Sequence, residues 1–509
     1  MRMFGLITAL AALDAVTGVA STETTAEHDD EYYPPPFTSP ATLTPSTTCP
    51  AYGLGHLIRD GYYYYENRVV SEASRRMPRP KRSSPLRGQP QTDPPTPEGT
   101  PQEKGGWSRG ALCRRVGKDE HCAFTYAEFN NGEGISIITT AARILLLGSQ
   151  PPLAPHPATD TETANKRSKT DTTPSESHYY KDVTIPNKGI GLLATQPIRT
   201  GRRVMARTPA VMVDDRAFKG LRKEDLALLL GQAILALPDA HRKRFLNLSI
   251  AHDEAVTGGG SLTAGMELIY NIFTNNAFKT TVTLERVDKE GGGGGVASSS
   301  EADFQSAFTE VSRLNHDCSP NLGYYFDSAT LSQKVYAARD IMPGEELTVS
   351  YVDVLQPRST RSHLLNTTWH FTCSCARCSP NPANPADDTH ILLESDSRTS
   401  QIRSLLRSLD DYTTKDPNPA THGPQKAETL ITLYELEGLQ VRIYEAYYRA
   451  ALEWNGVGDA ERAVRYARLC LASGLVLRGP DRPFVRSMRA LVEDARAHWS
   501  WRFRVPVKD

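Results

Sequence analysis

The chain has 509 residues, with 58 Lys+Arg against 59 Asp+Glu and a formal net charge of −1. That length excludes one compact core and implies two or three domains with linkers. The charge balance gives bulk electrostatics no say on nucleic acid, and no later segment approaches the roughly 20 uninterrupted apolar residues of a membrane helix. No direct nucleic-acid binding and no membrane span are expected; the oligomeric state stays open, with a monomer the expectation.

In chain order, Arg2 precedes an apolar run, Met3 to Ala20, ending Gly18-Val19-Ala20-Ser21. The pattern predicts a secretory signal peptide over residues 1–20. Asp14 interrupts the run, and an apolar N-terminus that is never translocated is the alternative. Residues 21–106 are rich in Pro, Ser, Thr and charge, and such a segment buries too little surface to offset its ordering entropy. Its basic stretch Arg75-Arg-Met-Pro-Arg-Pro-Lys-Arg82 reads as a solvated linker, with a nuclear address or an anion contact as alternatives. The compartment therefore stays open between the secretory pathway and the nucleus or cytoplasm.

Trp107, Cys113, Cys122, Phe124, Tyr126 and Phe129 crowd together, and Gly134-Ile-Ser-Ile-Ile-Thr-Thr140 reads as a strand. A small Cys-containing module over 107–148 is expected, with Cys113 and Cys122 the natural disulfide if the chain is exported. Residues 149–178 return to linker composition. Short strands are predicted over 179–211. Helical spacing follows over 221–251, with Leu226, Leu229, Leu230, Ala233 and Leu237 on one face. Pro238 breaks that helix, and Phe245 and Leu248 belong to a second. A strand is expected over 280–286, a flexible loop at Gly291–Gly295, and short strands over 322–351 turned at Pro343-Gly344. Pro380 to Pro385 marks a boundary. From about 425 the pattern is helical, with Leu439, Ile443, Tyr447 and Ala450 in one stripe, Gly458-Asp459 as a stop and cap, and Ala463, Ala467 and Leu471 continuing. The fold class is α+β followed by an all-α region.

Three short signals carry chemistry. Arg313-Leu-Asn-His-Asp-Cys-Ser-Pro-Asn321 comes first, then Gly344-Glu-Glu-Leu-Thr-Val-Ser-Tyr351, then Cys373-Ser-Cys375-Ala-Arg-Cys378. Four thiols, Cys318, Cys373, Cys375 and Cys378, suit one closed tetrahedral Zn²⁺ site. A disulfide inside the cluster is the alternative, but sulfurs one residue apart are poorly placed for it. Two glycines in Lys188-Gly189-Ile-Gly191 let backbone approach a ligand, although a plain β-turn gives the same pattern. Taken singly, His316 and Tyr351 would each read as a core residue; their order along the chain argues otherwise.

In that order the motifs resemble the catalytic core of SET-domain protein-lysine methyltransferases over roughly 179–379. The segment order is similar to the SET- and MYND-domain subfamily and its fungal relatives, without a Cys/His-rich MYND finger between 212 and 268. The resemblance implies a SET domain of short sheets with inserted helices over 179–356, a zinc-bound post-SET segment over 369–379, and a tetratricopeptide-like helical region over 425–509. It implies S-adenosylmethionine as co-substrate, a structural Zn²⁺, and a protein or histone lysine as partner. Carried over residue by residue, it makes Tyr351 the catalytic residue and Lys188, Gly189, Gly191, Asn276, Ser312, Asn315, His316 and Phe371 the cofactor contacts. Trp369 and Tyr325 would wall the lysine channel. Asp317 departs from the pattern, standing where Ser is commoner. The function expected is protein-lysine N-methyltransfer; a catalytically inactive, secreted SET-fold scaffold is the alternative. An oxidoreductase or zinc hydrolase is disfavoured, because four thiolates leave zinc no open position.

Overall fold

A computed structural model of the chain describes residues 106–148, 179–250, 262–286, 298–379, 385–412 and 419–505, all within a unit spanning 54–509. The signal-peptide reading, the low-complexity segment before residue 106, the 149–178 linker and the Gly291–Gly295 loop lie outside the described residues. The elements run β1 Ser108–Val116, β2 Asp119–Tyr126, a one-turn α1 Phe129–Gly132, β3 Ile135–Thr139 and α2 Ala141–Gly148. Then come β4 Tyr180–Ile185, β5 Gly189–Ala194, β6 Arg203–Arg207, β7 Val211–Asp214, α3 Asp215–Gly220, α4 Lys223–Leu235, α5 Asp239–Leu246 and α6 Leu262–Asn276. β8 Ala277–Arg286, β9 Ser298–Ala307, β10 Asn315–His316, β11 Leu322–Asp327, β12 Ser332–Ala337 and β13 Glu346–Val349 complete the strands. Six helices close the chain: α7 Arg358–Trp369, α8 Pro385–Leu409, α9 Pro419–Leu436, α10 Ile443–Gly456, α11 Ala460–Arg478 and α12 Pro483–Glu493.

The strands form a six-stranded sheet in the order β1-β2-β3-β7-β9-β8, a four-stranded sheet β10-β13-β5-β4, and a three-stranded sheet β11-β12-β6. Residues 107–148, expected as a module of their own, supply three strands to the largest sheet. All five residues of β3 are buried, so it needs neighbours on both sides and cover on both faces. It pairs antiparallel with β2 and parallel with β7, Ile137 opposite Met212. Trp107, Phe124, Ile135 and Ile137 consequently share one core with Met212, Val282 and Phe304.

The buried residues Leu226, Leu229, Leu230 and Ala233 of α4 follow helical spacing. They pack with Ile138, Val211 and Val213 of that sheet and with Ile272 and Phe273 of α6. Pro238 stands at the N-cap of α5, where its missing N–H leaves no bond broken. Beyond the sheets, α8 to α11 enclose two cores, one around Leu406, Leu430, Tyr434 and Ala446, the other around Leu452, Ala467, Cys470 and Met488 of α12. Asp459 caps α11 by accepting from the Arg462 N–H at 3.0 Å. Ala463 and Ala467 are buried as the stripe predicts, with Cys470 the next buried residue and Leu471 half-buried. α8 lies before the span where sequence periodicity predicts helix.

Candidate active site

The four-stranded sheet brings the three sequence signals together. β10 pairs parallel with β13, Asn315 opposite Thr348 and His316 opposite Val349. On its other edge β13 pairs with β5, Glu346 opposite Leu193. The glycine loop is the turn of the β4–β5 hairpin. Pro186 and a left-handed Asn187 (φ 62°) fill its centre, and the Lys188 N–H closes it on the Ile185 carbonyl at 3.1 Å. Gly189 has φ 76°. A Cβ on Gly191 would stand 2.6 Å from Asn315 Nδ2 and 2.5 Å from Ile185 Cδ1, so a larger residue would displace the ends of both side chains. Lys188 Nζ donates to Glu346 at 2.7 Å, and Asn315 Nδ2 donates to the other oxygen of the same carboxylate at 2.9 Å.

His316 is buried, and burial pushes its pKa down to about 3. The neutral ring accepts the Tyr351 N–H on Nδ1 at 3.0 Å, which leaves Nε2 to donate to Cys318 Sγ at 3.2 Å. One imidazole thus ties the end of the β13 segment to the sulfur cluster. Tyr351 Oη donates to the Leu314 carbonyl at 2.8 Å. Desolvation, with Glu346 adding, raises its pKa above the ordinary phenol value, so it stays protonated at neutral pH. Around Tyr351 stand Trp369, His316 and Phe371, with ring centroids at 5.3, 5.4 and 6.4 Å. Phe371 also lies 6.1 Å from His316.

Asn276 and Ser312 meet nearby, the Ser312 hydroxyl donating to the Asn276 carbonyl at 3.2 Å. The Asn276 amide turns inward, to the Ser249 and Ile272 carbonyls, each at 2.8 Å. Tyr325 is not brought into the aromatic group. Its ring stacks on Tyr336 at 5.9 Å and lies against Gly479 in the turn after α11. The reason is register: Tyr325 sits on β11 opposite Lys334, in the sheet that packs on the C-terminal helices.

The four sulfurs of Cys318, Cys373, Cys375 and Cys378 lie within 4.8 Å of one another. Backbone N–H groups of Cys378 and Ser379 both donate to the Cys375 carbonyl, at 2.9 and 3.0 Å, which folds the Cys-x-Cys-x-x-Cys segment into one turn. Interactions among the sulfurs push Cys378 down, with the Cys318 bond the largest cause, and push Cys318 up. Arg361 tests whether a divalent cation fits. It is 1% exposed, and its Nε donates to Cys318 Sγ at 3.2 Å while Nη2 points at Cys378 Sγ at 3.8 Å. Its other described partners are the carbonyls of Gln356 and Arg377. A guanidinium stays charged when buried, and among its described contacts sulfur alone can carry the opposing charge. Four thiolates around a dication, net two negative, suit that surrounding. The other sulfur pair differs: Cys113 and Cys122 are joined in a disulfide across the β1–β2 ladder, so they are not thiolate ligands. A cavity of about 460 Å³ adjoins Cys378 beside Pro357, Arg358 and Asp396, and none of the expected cofactor contacts lines it.

Sequence reasoning missed four residues. Glu346 was passed over as part of a Gly-Glu-Glu turn, although it opens the strand that ends near Tyr351. Arg361 gives no local signal, since an arginine in a helix reads as exposed. Arg377 stands between two zinc-type cysteines and could have been flagged. It is buried, donating to Glu437 at 2.7 Å, to the Cys318 carbonyl at 2.8 Å and to Thr399 at 3.0 Å. Glu437, at the end of α9, also accepts from Arg398 and Ser395, both at 2.6 Å.

The family model described as SET domain matches residues 189–352. The histone-lysine N-methyltransferase set5 of Schizosaccharomyces pombe is 25% identical over 329 residues, covering 64% of this chain and 87% of that protein. Human N-lysine methyltransferase SMYD2 is 33% identical over 100 residues, 20% of this chain and 23% of its own length. Among solved structures, the SET domain of LSMT bound to lysine and AdoHcy matches at 10% identity and a TM-score of 0.24, over 62% of this chain and 87% of that one.

Proposed function

We propose, from the premise that this chain belongs to the SET-domain protein-lysine methyltransferases, that it transfers the methyl group of S-adenosylmethionine to a lysine of a protein substrate. The observation that carries this is the Tyr351–His316 contact: the end of one signal hydrogen-bonded to the centre of another, ringed by Trp369 and Phe371 from the third segment.

The chemistry is an in-line displacement. The lysine nitrogen forms a bond to the methyl carbon as the carbon–sulfur bond breaks, and the sulfur keeps that electron pair. Only a neutral amine reacts, and with a pKa near 10.4 about one free lysine in 2,500 is neutral at pH 7, a penalty of about 4.6 kcal/mol. Desolvation between aromatic walls lowers that pKa, and the positive sulfonium acts in the same direction. The proton leaves to water. Tyr351, protonated and anchored through Oη on the Leu314 carbonyl, suits orientation rather than proton abstraction. Asn315, His316, Lys188, Gly189, Gly191, Asn276 and Ser312 would hold the donor, and Phe371 would pack on its adenine side. Cys318, Cys373, Cys375 and Cys378 would hold a structural Zn²⁺, which contributes folding free energy to the closing segment.

Histone lysines are the first substrates to test, since the fission-yeast relative is named for them. Purified protein is incubated with labelled S-adenosylmethionine and core histones or a protein mixture. Label on lysine is expected; no transfer together with no donor binding removes the proposal. One observation favours the second reading, an exported scaffold: the Cys113–Cys122 disulfide suits an oxidising compartment. N-terminal sequencing of the mature protein separates the two, with a start at Ser21 favouring export and a start at Met1 or Arg2 the nucleus or cytoplasm.

A further inference from the structure

We infer, resting on the methyl-donor reading above, that Glu346 is a positioning residue that presents Lys188 and Asn315 to the zwitterionic amino-acid head of the donor. Glu346 opens β13, the strand lying between β10 and β5. One carboxylate oxygen accepts from Asn315 Nδ2 at 2.9 Å and the other from Lys188 Nζ at 2.7 Å. These two donors come from elements 127 positions apart in the chain by their numbers, 188 and 315, and Glu346 is their common partner.

An ionised carboxylate only accepts hydrogen bonds. It therefore decides which way the Asn315 amide turns, since only the NH₂ end can face it. Asn315 Oδ1 then points away from Glu346 and takes no donor from the described residues. The Lys188 ammonium keeps further N–H bonds beyond the one it gives to Glu346. One carbonyl acceptor and one ammonium donor are the complement of a head carrying –NH₃⁺ and –COO⁻. A Cβ on Gly191 would crowd the Asn315 amide at 2.6 Å and stand 3.3 Å from a Glu346 carboxylate oxygen, so its absence leaves this pair undisturbed. Gly189 beside it has no heavy atom within 4 Å of where a Cβ would stand, which leaves open space for a ligand. A glutamine at 346 would remove this discrimination. Its own NH₂ can face the Asn315 carbonyl, so the asparagine can turn over and offer NH₂ toward the ligand ammonium, while Lys188 loses its anion.

The test uses the full chain, wild type and Glu346→Gln, with calorimetric titration of two probes: S-adenosylhomocysteine, which carries the amino-acid head, and 5′-methylthioadenosine, which lacks it. The variant is expected to bind S-adenosylhomocysteine about tenfold more weakly and methylthioadenosine as wild type does. In turnover the loss is expected to fall on the donor KM more than on kcat, with Glu346→Asp recovering part of it. Equal S-adenosylhomocysteine affinity in wild type and variant overturns the inference while leaving the enzyme reading intact. A parallel loss of both probes overturns it too, because a general structural role would do that. A wild type that binds neither probe overturns the methyltransferase reading, and this inference with it.

Discussion

Tyr351 and Arg361 show how much depends on single side chains near the site. Replacing Tyr351 by Phe removes the Oη bond to the Leu314 carbonyl and leaves the aromatic packing with Trp369, His316 and Phe371 in place. Stability should fall by about 1 kcal/mol, whereas kcat should fall on the order of a hundredfold, as when one aimed donor is lost from an active site. Urea denaturation and single-turnover methyl transfer check the two halves; a variant with near wild-type kcat would count against Tyr351 as the catalytic residue. Arg361→Met retains bulk but removes the buried charge beside Cys318 and Cys378. A buried charge set stripped of one partner is destabilised by about 3 to 5 kcal/mol. With the proposed Zn²⁺ loaded, metal analysis during chelator challenge should show it leaving the variant faster than the wild type; equal release rates would deny Arg361 this role. Tyr351 and the four cysteines were legible in the sequence because each sits in a short motif with fixed spacing. Arg361 and Glu346 were not, because their partners lie far along the chain and only the folded sheet and helix bring them within reach. Tyr325 stacks on Tyr336, outside the aromatic group around Tyr351, and a tyrosine-rich strand gives no hint of which ring faces which sheet.

At the level of elements, the sulfur segment is fastened to the C-terminal helices as well as to the sheets. Arg377, inside the Cys-x-x-Cys turn, reaches Glu437 at the end of α9, and Ser319, next to Cys318, donates to the Glu437 carbonyl at 2.8 Å. The Glu437 side chain is 1% exposed and holds two guanidinium groups. Glu437→Leu leaves Arg377 buried without its anion, at a cost of about 3 to 5 kcal/mol. A urea midpoint unchanged from wild type would show the contact to be idle. The helices were legible where apolar residues recur every three to four positions, as in α4 and α10. α8 was not: its mean hydropathy is low, and its buried Leu392, Ile402, Leu406 and Leu409 are spread among charged and small polar residues. β3 was recognised as a strand from its β-branched run. Its partner β7 was not identifiable, since pairing across a long connection leaves no local trace.

On the scale of the whole molecule, buried histidines make stability depend on pH. His121 is fully buried in β2, with Asp214 4.0 Å from its ring. Desolvation lowers its pKa, against the opposing pull of Asp214 and Asp119, and His498 is lowered by the same cause. The unfolded chain takes up these protons near pH 6.5 while the folded chain resists them. Stability is therefore full above about pH 6.5 and falls as the pH drops below that value toward the depressed folded pKa values. Denaturation midpoints measured from pH 7.5 down to 5.0 should decline, and His121→Gln should flatten part of the slope. A wild-type midpoint constant over that range would contradict this.

The parallel seam between β3 and β7 has a practical corollary. It stitches residues 106–148 into the sheet independently of the peptide that connects 148 to 179. A chain nicked by a protease anywhere in that stretch would still migrate as one particle under native conditions, and would separate into two polypeptides only in detergent. The same property makes the enzyme a candidate for two-plasmid reconstitution, with the amino-terminal piece added back to a truncated partner.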